Sequence, residues 1–268
     1  MSTAARPSRD LHRQAFPVNL PVRLAWLGLA VYIVYALAQL EVSLERIVGG
    51  WPQAVRLLGR MFPPNFQADK LELITQGLLE SLQIAVIATF VGVLLSLPLA
   101  LMAARNLSPA ALSGAARVVI ALCRSFHPVI VSILFVKAVG FGALAGVLAL
   151  IVSSMGFVGK LLAEVLEELD EGQVEAVRAT GAGFAHVLVM GVMPQVFARF
   201  IGLSAYQFDS NLRNSTMVGI VGGGGIGAAL FTAYQRFDYD VVLTILILII
   251  ALIVMAELLS LGLKKVFR

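Results

Sequence analysis

From Val241 to Leu263 the chain reads VVLTILILIIALIVMAELLSLGL, with Glu257 as its one ionisable side chain. A helix needs about 20 apolar residues to cross the hydrocarbon core of a bilayer, and this run supplies them. Backbone in lipid must satisfy its own polar groups, which leaves helices or a closed barrel. The run is continuous rather than alternating, so a helix is expected. Comparable stretches run from about Val22 to Leu40, Ile74 to Ala104 with Pro98 inside, Ala115 to Val139 interrupted at His127-Pro128, and Ala143 to Leu166. A more polar one runs from Phe197 to Val221. The expected fold class is all-α integral membrane, with about six transmembrane helices. Composition agrees: 13% of residues are charged, roughly half the share in a soluble domain.

The expected organisation is a cytoplasmic N-terminal segment (1–21), a first helix and external loop (22–72) broken by Pro52 and Pro63-Pro64, and a transmembrane bundle (73–268). Cytoplasmic segments of membrane proteins are rich in Lys and Arg. With the N-terminus inside, Arg6, Arg9, Arg13, Arg23, Arg105, Arg117, Arg124, Lys160, Arg178, Arg199, Lys264, Lys265 and Arg268 all fall on the inner side. The outer side keeps Arg46, Arg56, Arg60, Lys70, Lys137 and Arg236. Both termini are therefore expected in the cytoplasm of a multi-pass cell-membrane protein surrounded by lipid. The first apolar run lacks a small-residue cleavage site after it and is expected to be retained. The net charge of +4 is scattered over span ends, so no nucleic-acid partner is implied. The single Cys123 excludes an internal disulfide and is expected to pack as a small apolar residue.

Catalytic and metal chemistry find no footing. No His, Cys and carboxylate group has metal-ligand spacing, and no Ser-His-Asp arrangement is visible. Gly159-Lys160 is followed by Leu161 and preceded at the fifth position by Ser154, so a phosphate-cradling loop is not spelled. Gly222, Gly224 and Gly227 spell GxGxxG, but a membrane helix precedes them where a dinucleotide site needs a strand. The run of four glycines, Gly222, Gly223, Gly224 and Gly225, suits a gate or hinge, or a plain re-entrant turn. His127-Pro128 is either a kink with a satisfied histidine or a pH-sensitive gate.

Two polar features stand out against this background. Glu167 to Pro194 is a charged segment between apolar runs. Gly181 and Gly183 can stop one helix there and let a second, Phe184 to Met190, lie across the membrane surface before Pro194 starts the next span. The result is a projecting elbow, or alternatively a simple amphipathic loop helix. The second feature is YQFDSNLRNSTMVG in the fifth span. Tyr206, Asp209, Ser210, Arg213 and Thr216 fall in a stripe roughly 120° wide, which Asn211, Asn214 and Ser215 are expected to broaden. Charge at membrane depth faces a bundle interior or an aqueous cavity. Asp209 and Arg213 therefore form an internal ion pair, the wall of a translocation path, or both.

The elbow resembles the EAA loop of ABC-importer permeases. Glu175, Ala176, Gly181 and Pro194 match that pattern, while Val177, Gly191 and Met193 depart from it with small or apolar residues. ESLQIAVIATFVGVLLSLPLALMAARN, FGALAGVLAL, GKLLAEVLEELDEGQVEAVRATGA, MPQVFARF and TMVGIVGGGGIG carry a closer resemblance, to phosphonate-transporter permeases, over about Leu73 to Arg268. The resemblance implies a type I ABC-importer bundle that binds no cofactor of its own. ATP and Mg would sit on a partner dimer of ATP-binding subunits that docks at 167–194, through Glu175, Ala176, Gly181, Ala182, Gly183, Phe184 and His186. A solute-binding protein would deliver the substrate at the outer face, and a second permease copy would complete the path. In such permeases an acidic residue often follows the proline of the third span, where Val129 stands here. The implied function is ATP-driven import of phosphonate or a related phosphorus oxyanion, phosphate or phosphite being the alternatives. A secondary transporter would instead show inverted repeats.

Overall fold

The computed structural model describes residues 20–40 and 43–266, among which there are helices and turns and no strand. Arg6, Arg9, Arg13 and Arg268 lie outside the described residues. The chain divides into two units, Met1–Leu58 and Gly59–Arg268. The first holds α1 (Leu20–Gln39), which buries no side chain, and most of α2 (Leu44–Met61). The stretch expected as a loop is thus largely helical, and Pro52 lies inside it. Its apolar residues Ile47, Val48, Trp51, Val55 and Leu58 recur at helical spacing, and that periodicity outweighs one lost backbone hydrogen bond.

The second unit is built on α3 (Ala68–Ala103) and α6 (Ala143–Glu167), which pack along each other. Their seam includes Gly92, Ser96 and Ser154, all buried, with Ser96 Oγ reaching Ser154 O at 3.4 Å. Small residues let membrane helices approach closely where lipid offers no hydrophobic drive. A Cβ at Gly92 would stand 2.4 Å from Ser154 Cβ, so this approach requires glycine.

The third expected span is broken: α4 (Ala110–Ser125) and α5 (Pro128–Val139) meet at 90°. Phe126 and His127 are both extended (ψ 137° and 141°), the conformation forced on a residue before proline. The nine-residue α7 (Glu171–Ala179) follows α6. Next come one turn, α8 (Phe184–His186), a wide π turn over Val187–Val192, and α9 (Met193–Ile220). The expected separate helix over Phe184 to Met190 is instead continuous with the span, making one 37-residue helix from Phe184 to Ile220. The physical cause is local. Pro194 has no N–H, and the turn before it widens so that Met193 N–H donates to Leu188 O, five residues back. A tight turn joins α9 to α10 (Ile226–Gln235), and α11 (Tyr239–Val266) ends the described chain.

By length and composition five helices can cross a membrane, or six if the bent pair α4–α5 is one span. One core cluster joins the elbow to the bundle, with Val174, Val187 and Val192 packed among Leu99, Ile120, Leu162 and Leu166. Another joins α3, α10 and α11 through Ile74, Ile226, Val241 and Ile245.

Candidate coupling surface and transport path

The elbow is fixed by local chemistry at both ends. Asp170 caps α7, its side chain accepting from Gly172 N–H at 3.0 Å. Asp170 N–H in turn donates to Gln195 Oε1 at 3.1 Å, tying the start of α7 to α9. At the far end Gly181 takes φ +79°, the left-handed conformation that reverses the chain. Val174 is buried, whereas Glu175, Ala176, Gly181, Gly183, Phe184 and His186 are exposed and Ala182 is half-buried. Phe184, Val189 and Met190 leave 65%, 56% and 66% of their surface open at the tip, a contiguous stretch of chain with apolar side chains turned outward. Gly191 lies against α7, where a Cβ would touch Val174 Cα at 3.5 Å.

AARN, at the end of α3, locks the same end of the bundle. Arg105 N–H donates to Glu167 Oε1 at 2.7 Å, and Asn106 Nδ2 donates to Leu166 O at 2.8 Å, capping α6. Arg117 also pairs with Glu167, and Arg199 pairs with Glu168 at 2.9 Å.

On α9 the polar residues separate into two faces. Asp209 and Arg213 form the expected ion pair at 2.7 Å, with Asp209 13% and Arg213 45% exposed at the side chain. Asp209 Oδ1 is buried and has no hydrogen-bond partner among the described residues. Tyr206 is exposed and stacks on Phe157 of α6 with ring centroids 5.3 Å apart. Asn214 and Thr216 are half-buried at the margin of this face, and Asn214 Nδ2 reaches Ser210 Oγ at 3.4 Å. Asn211 does not belong to it. It is fully buried and donates to Thr89 Oγ1 of α3 and Ser154 Oγ of α6, each at 2.9 Å. Gln207 completes the network, donating to Asn211 Oδ1 and Ser154 Oγ. At about 100° per residue Asn211 stands about 200° from Asp209, on the opposite side of the helix. Ser215 is buried on that side as well. Gln207, which the stripe omits, was legible from its four-residue spacing to Asn211.

The glycine run is a knot of crossing backbones. Gly222, Gly224 and Gly225 have φ of 97°, 77° and 77°, a region L side chains avoid. Gly222 O accepts from Gly142 N–H at 2.9 Å, and Ser81 Oγ accepts from Ile226 N–H at 2.9 Å. A Cβ at Gly227 would stand 1.9 Å from Thr216 O, and one at Gly219 2.4 Å from Gly224 O. Gly223 packs on Val218 and Ser132, and Ser132 Oγ is buried with no hydrogen-bond partner among the described residues. Glu80 approaches the knot beside Gly224. At the α4–α5 break His127 is exposed and caps α5, its Nδ1 accepting from Val129 N–H at 3.4 Å, while Pro128 opens the helix. No group of three or more His, Cys, Asp or Glu that could hold a metal occurs among the described residues.

Comparison with known proteins places this geometry. The chain is 41% identical over 77% of its length to the phosphate-import permease protein PhnE of Mycolicibacterium smegmatis, spanning 39% of that longer protein. It is 40% identical over 83% of its length to the phosphite transport system permease protein PtxC of Stutzerimonas stutzeri, covering 80% of it. The putative cryptic phosphonate transport system permease protein PhnE2 of Escherichia coli is 41% identical over 45% of this chain and 98% of that one. In fold, the chain superposes on a chain of the inward-facing MetNI methionine ABC transporter with a TM-score of 0.66 at 21% identity, over 76% of this chain and all of that one. Residues 96–265 match the family described as binding-protein-dependent transport system inner membrane component. The chain belongs to that family, and is the multi-pass permease component of an ABC-type importer rather than an enzyme.

Proposed function

We propose that this permease forms the translocation path for a phosphorus oxyanion, phosphonate, phosphite or phosphate, in an importer energised by a separate ATPase. The observation that carries the reading is Arg213, a half-exposed guanidinium in a long apolar helix, held in place by Asp209. A planar guanidinium pairs with two oxygens of a phosphoryl group at once, and two permeases similar to this chain are named for phosphate and phosphite. Tyr206, Asn214 and Thr216 flank that group on the same helix, and Asn211 braces it from behind.

Two copies of the chain face each other across the path. The exposed elbow, from Glu175 and Ala176 through Gly181 to Met190, docks on an ATP-binding subunit dimer that carries ATP and Mg. Because Phe184 to Ile220 is one helix, movement at the elbow reaches Arg213 along a rigid rod. The glycine knot and the His127-Pro128 break are the joints that yield. A solute-binding protein delivers the substrate at the outer face, and both termini lie in the cytoplasm.

The test is uptake of labelled phosphite, phosphate and methylphosphonate by proteoliposomes holding the permease, its ATPase and its binding protein. Arg213→Ala should abolish uptake while still assembling with the ATPase. Normal uptake by the assembled variant would sink the reading.

A further inference from the structure

A second basic site lies away from α9, at the elbow end of the bundle. A cavity of about 450 Å³ opens between α4 and α6, lined by Arg117, Arg124, Ser125, Lys160 and Glu164 among others. Lys160 stands seven residues before the end of α6, about 10 Å along the helix, so the cavity lies between the two helices near the elbow. The helices come together just beyond it, at Gly156, where a Cβ would stand 2.8 Å from Arg124 Cγ.

The charges there do not cancel. Arg117 is taken up by Glu167, and its Nε donates to Ala103 O at 3.0 Å. Lys160 pairs with Glu164 at 2.6 Å. Arg124 lines the same cavity, is exposed, and has no ion pair among the described residues. An unpaired guanidinium beside a cavity draws a counter-ion, and basic cavities between membrane helices take phosphorylated head groups. A phosphoryl group has three oxygens, enough to take Arg124 through two and turn a third toward Arg117 or Lys160, whereas a carboxylate has only two.

We infer that the α4–α6 cavity is a phosphoryl-binding site centred on Arg124, with Arg117 and Lys160 as flanking cations. The ligand is a phosphoryl anion, either the head group of an acidic phospholipid or free phosphate. The site is separate from Arg213 and does not depend on what the path carries.

The experiment follows thermal unfolding of the delipidated, detergent-solubilised full chain during titration with short-chain phosphatidylglycerol, inorganic phosphate, or short-chain phosphatidylcholine as the neutral control. Wild type should be stabilised by phosphatidylglycerol, by phosphate, or by both, and not by phosphatidylcholine. Stabilisation by the lipid alone identifies a head-group site, and stabilisation by phosphate identifies a free-anion site. Arg124→Gln should weaken the effective ligand about tenfold, whereas Arg124→Lys, which keeps the charge, should retain most of the response. The proposed path also takes phosphate, so Arg124→Gln is compared on an Arg213→Ala background as well, where it should still cost about tenfold, which separates this site from the path. An equal response in wild type and Arg124→Gln, or no response to either anion, overturns the assignment.

Discussion

The side-chain amide of Asn211 donates to Thr89 Oγ1 at 2.9 Å, joining α9 to α3 in a region closed to solvent. Ser154 of α6 accepts from the same amide and from Gln207, so one network ties three helices. Asn211→Ala leaves Gln207 and the two hydroxyls short of partners in the interior. Buried unsatisfied groups cost about 1–3 kcal/mol, and pairs between membrane helices tend toward the lower end. The variant should melt at a lower temperature in detergent. Transport per folded molecule should be unchanged, because Asn211 braces the helix and faces away from Arg213.

The glycine knot makes a sharper demand. Gly227→Ala would place a carbon 1.9 Å from Thr216 O, with backbone on both sides and no flexible side chain to yield. The turn must open, and uptake and folded yield should fall together. Gly114 on α4 is the control: nothing lies within 4 Å of its added Cβ. Gly114→Ala should be neutral, or stabilising by up to about 1 kcal/mol. Comparing the melting of the two variants separates close packing from a general dislike of substitution in membrane helices.

What the sequence disclosed follows the strength of each physical signal. Apolar runs placed α1, α6 and α11 to within a few residues, because nothing else in the chain competes with the cost of backbone in lipid, whereas α3 starts at Ala68 and the polar span reaches back to Phe184, well before the expected Ile74 and Phe197. The bend at Gly181 was legible for the same kind of reason, since a glycine closing a helix is a local event. Pro52 and Pro194 misled, because a proline read in isolation is a breaker. At Pro52 the amphipathic period prevailed, and at Pro194 a π turn absorbed the missing donor. Asn211 was assigned by its polarity when its angle already put it on the far face. The break at His127-Pro128 was legible from the proline, but its 90° angle and the partners of AARN depend on tertiary packing.

At the elbow, Phe184 and Met190 are open to solvent beside a backbone reversal that needs a positive φ. Large apolar side chains exposed on a polar loop mark an interaction surface. Phe184→Asp should abolish co-purification with the ATPase while leaving the melting of the permease unchanged, since Phe184 buries little. Gly181→Ala strains a left-handed position by about 1–2 kcal/mol, and should lower the ATPase activity of the assembled complex. Gly181→Asn, which tolerates that conformation better, should recover part of it. Full ATPase coupling in Gly181→Ala would show that the reversal at Gly181 is dispensable.

On the proposed path, Asp209 sets the balance. One of its oxygens holds Arg213, and the other is buried with no hydrogen-bond partner among the described residues. Its carboxylate therefore competes with any anion for the guanidinium. A half-exposed pair of this kind is worth about 1 kcal/mol or less. Asp209→Asn removes the competitor, so the permease–ATPase complex should bind labelled phosphite up to about 5-fold more tightly in the absence of binding protein. It should also release the anion more slowly, so that uptake falls although binding improves. Equilibrium binding and uptake rate measured on one preparation check both halves. If binding weakens along with uptake, Asp209 serves to hold Arg213 in position, and the competition described here plays no part.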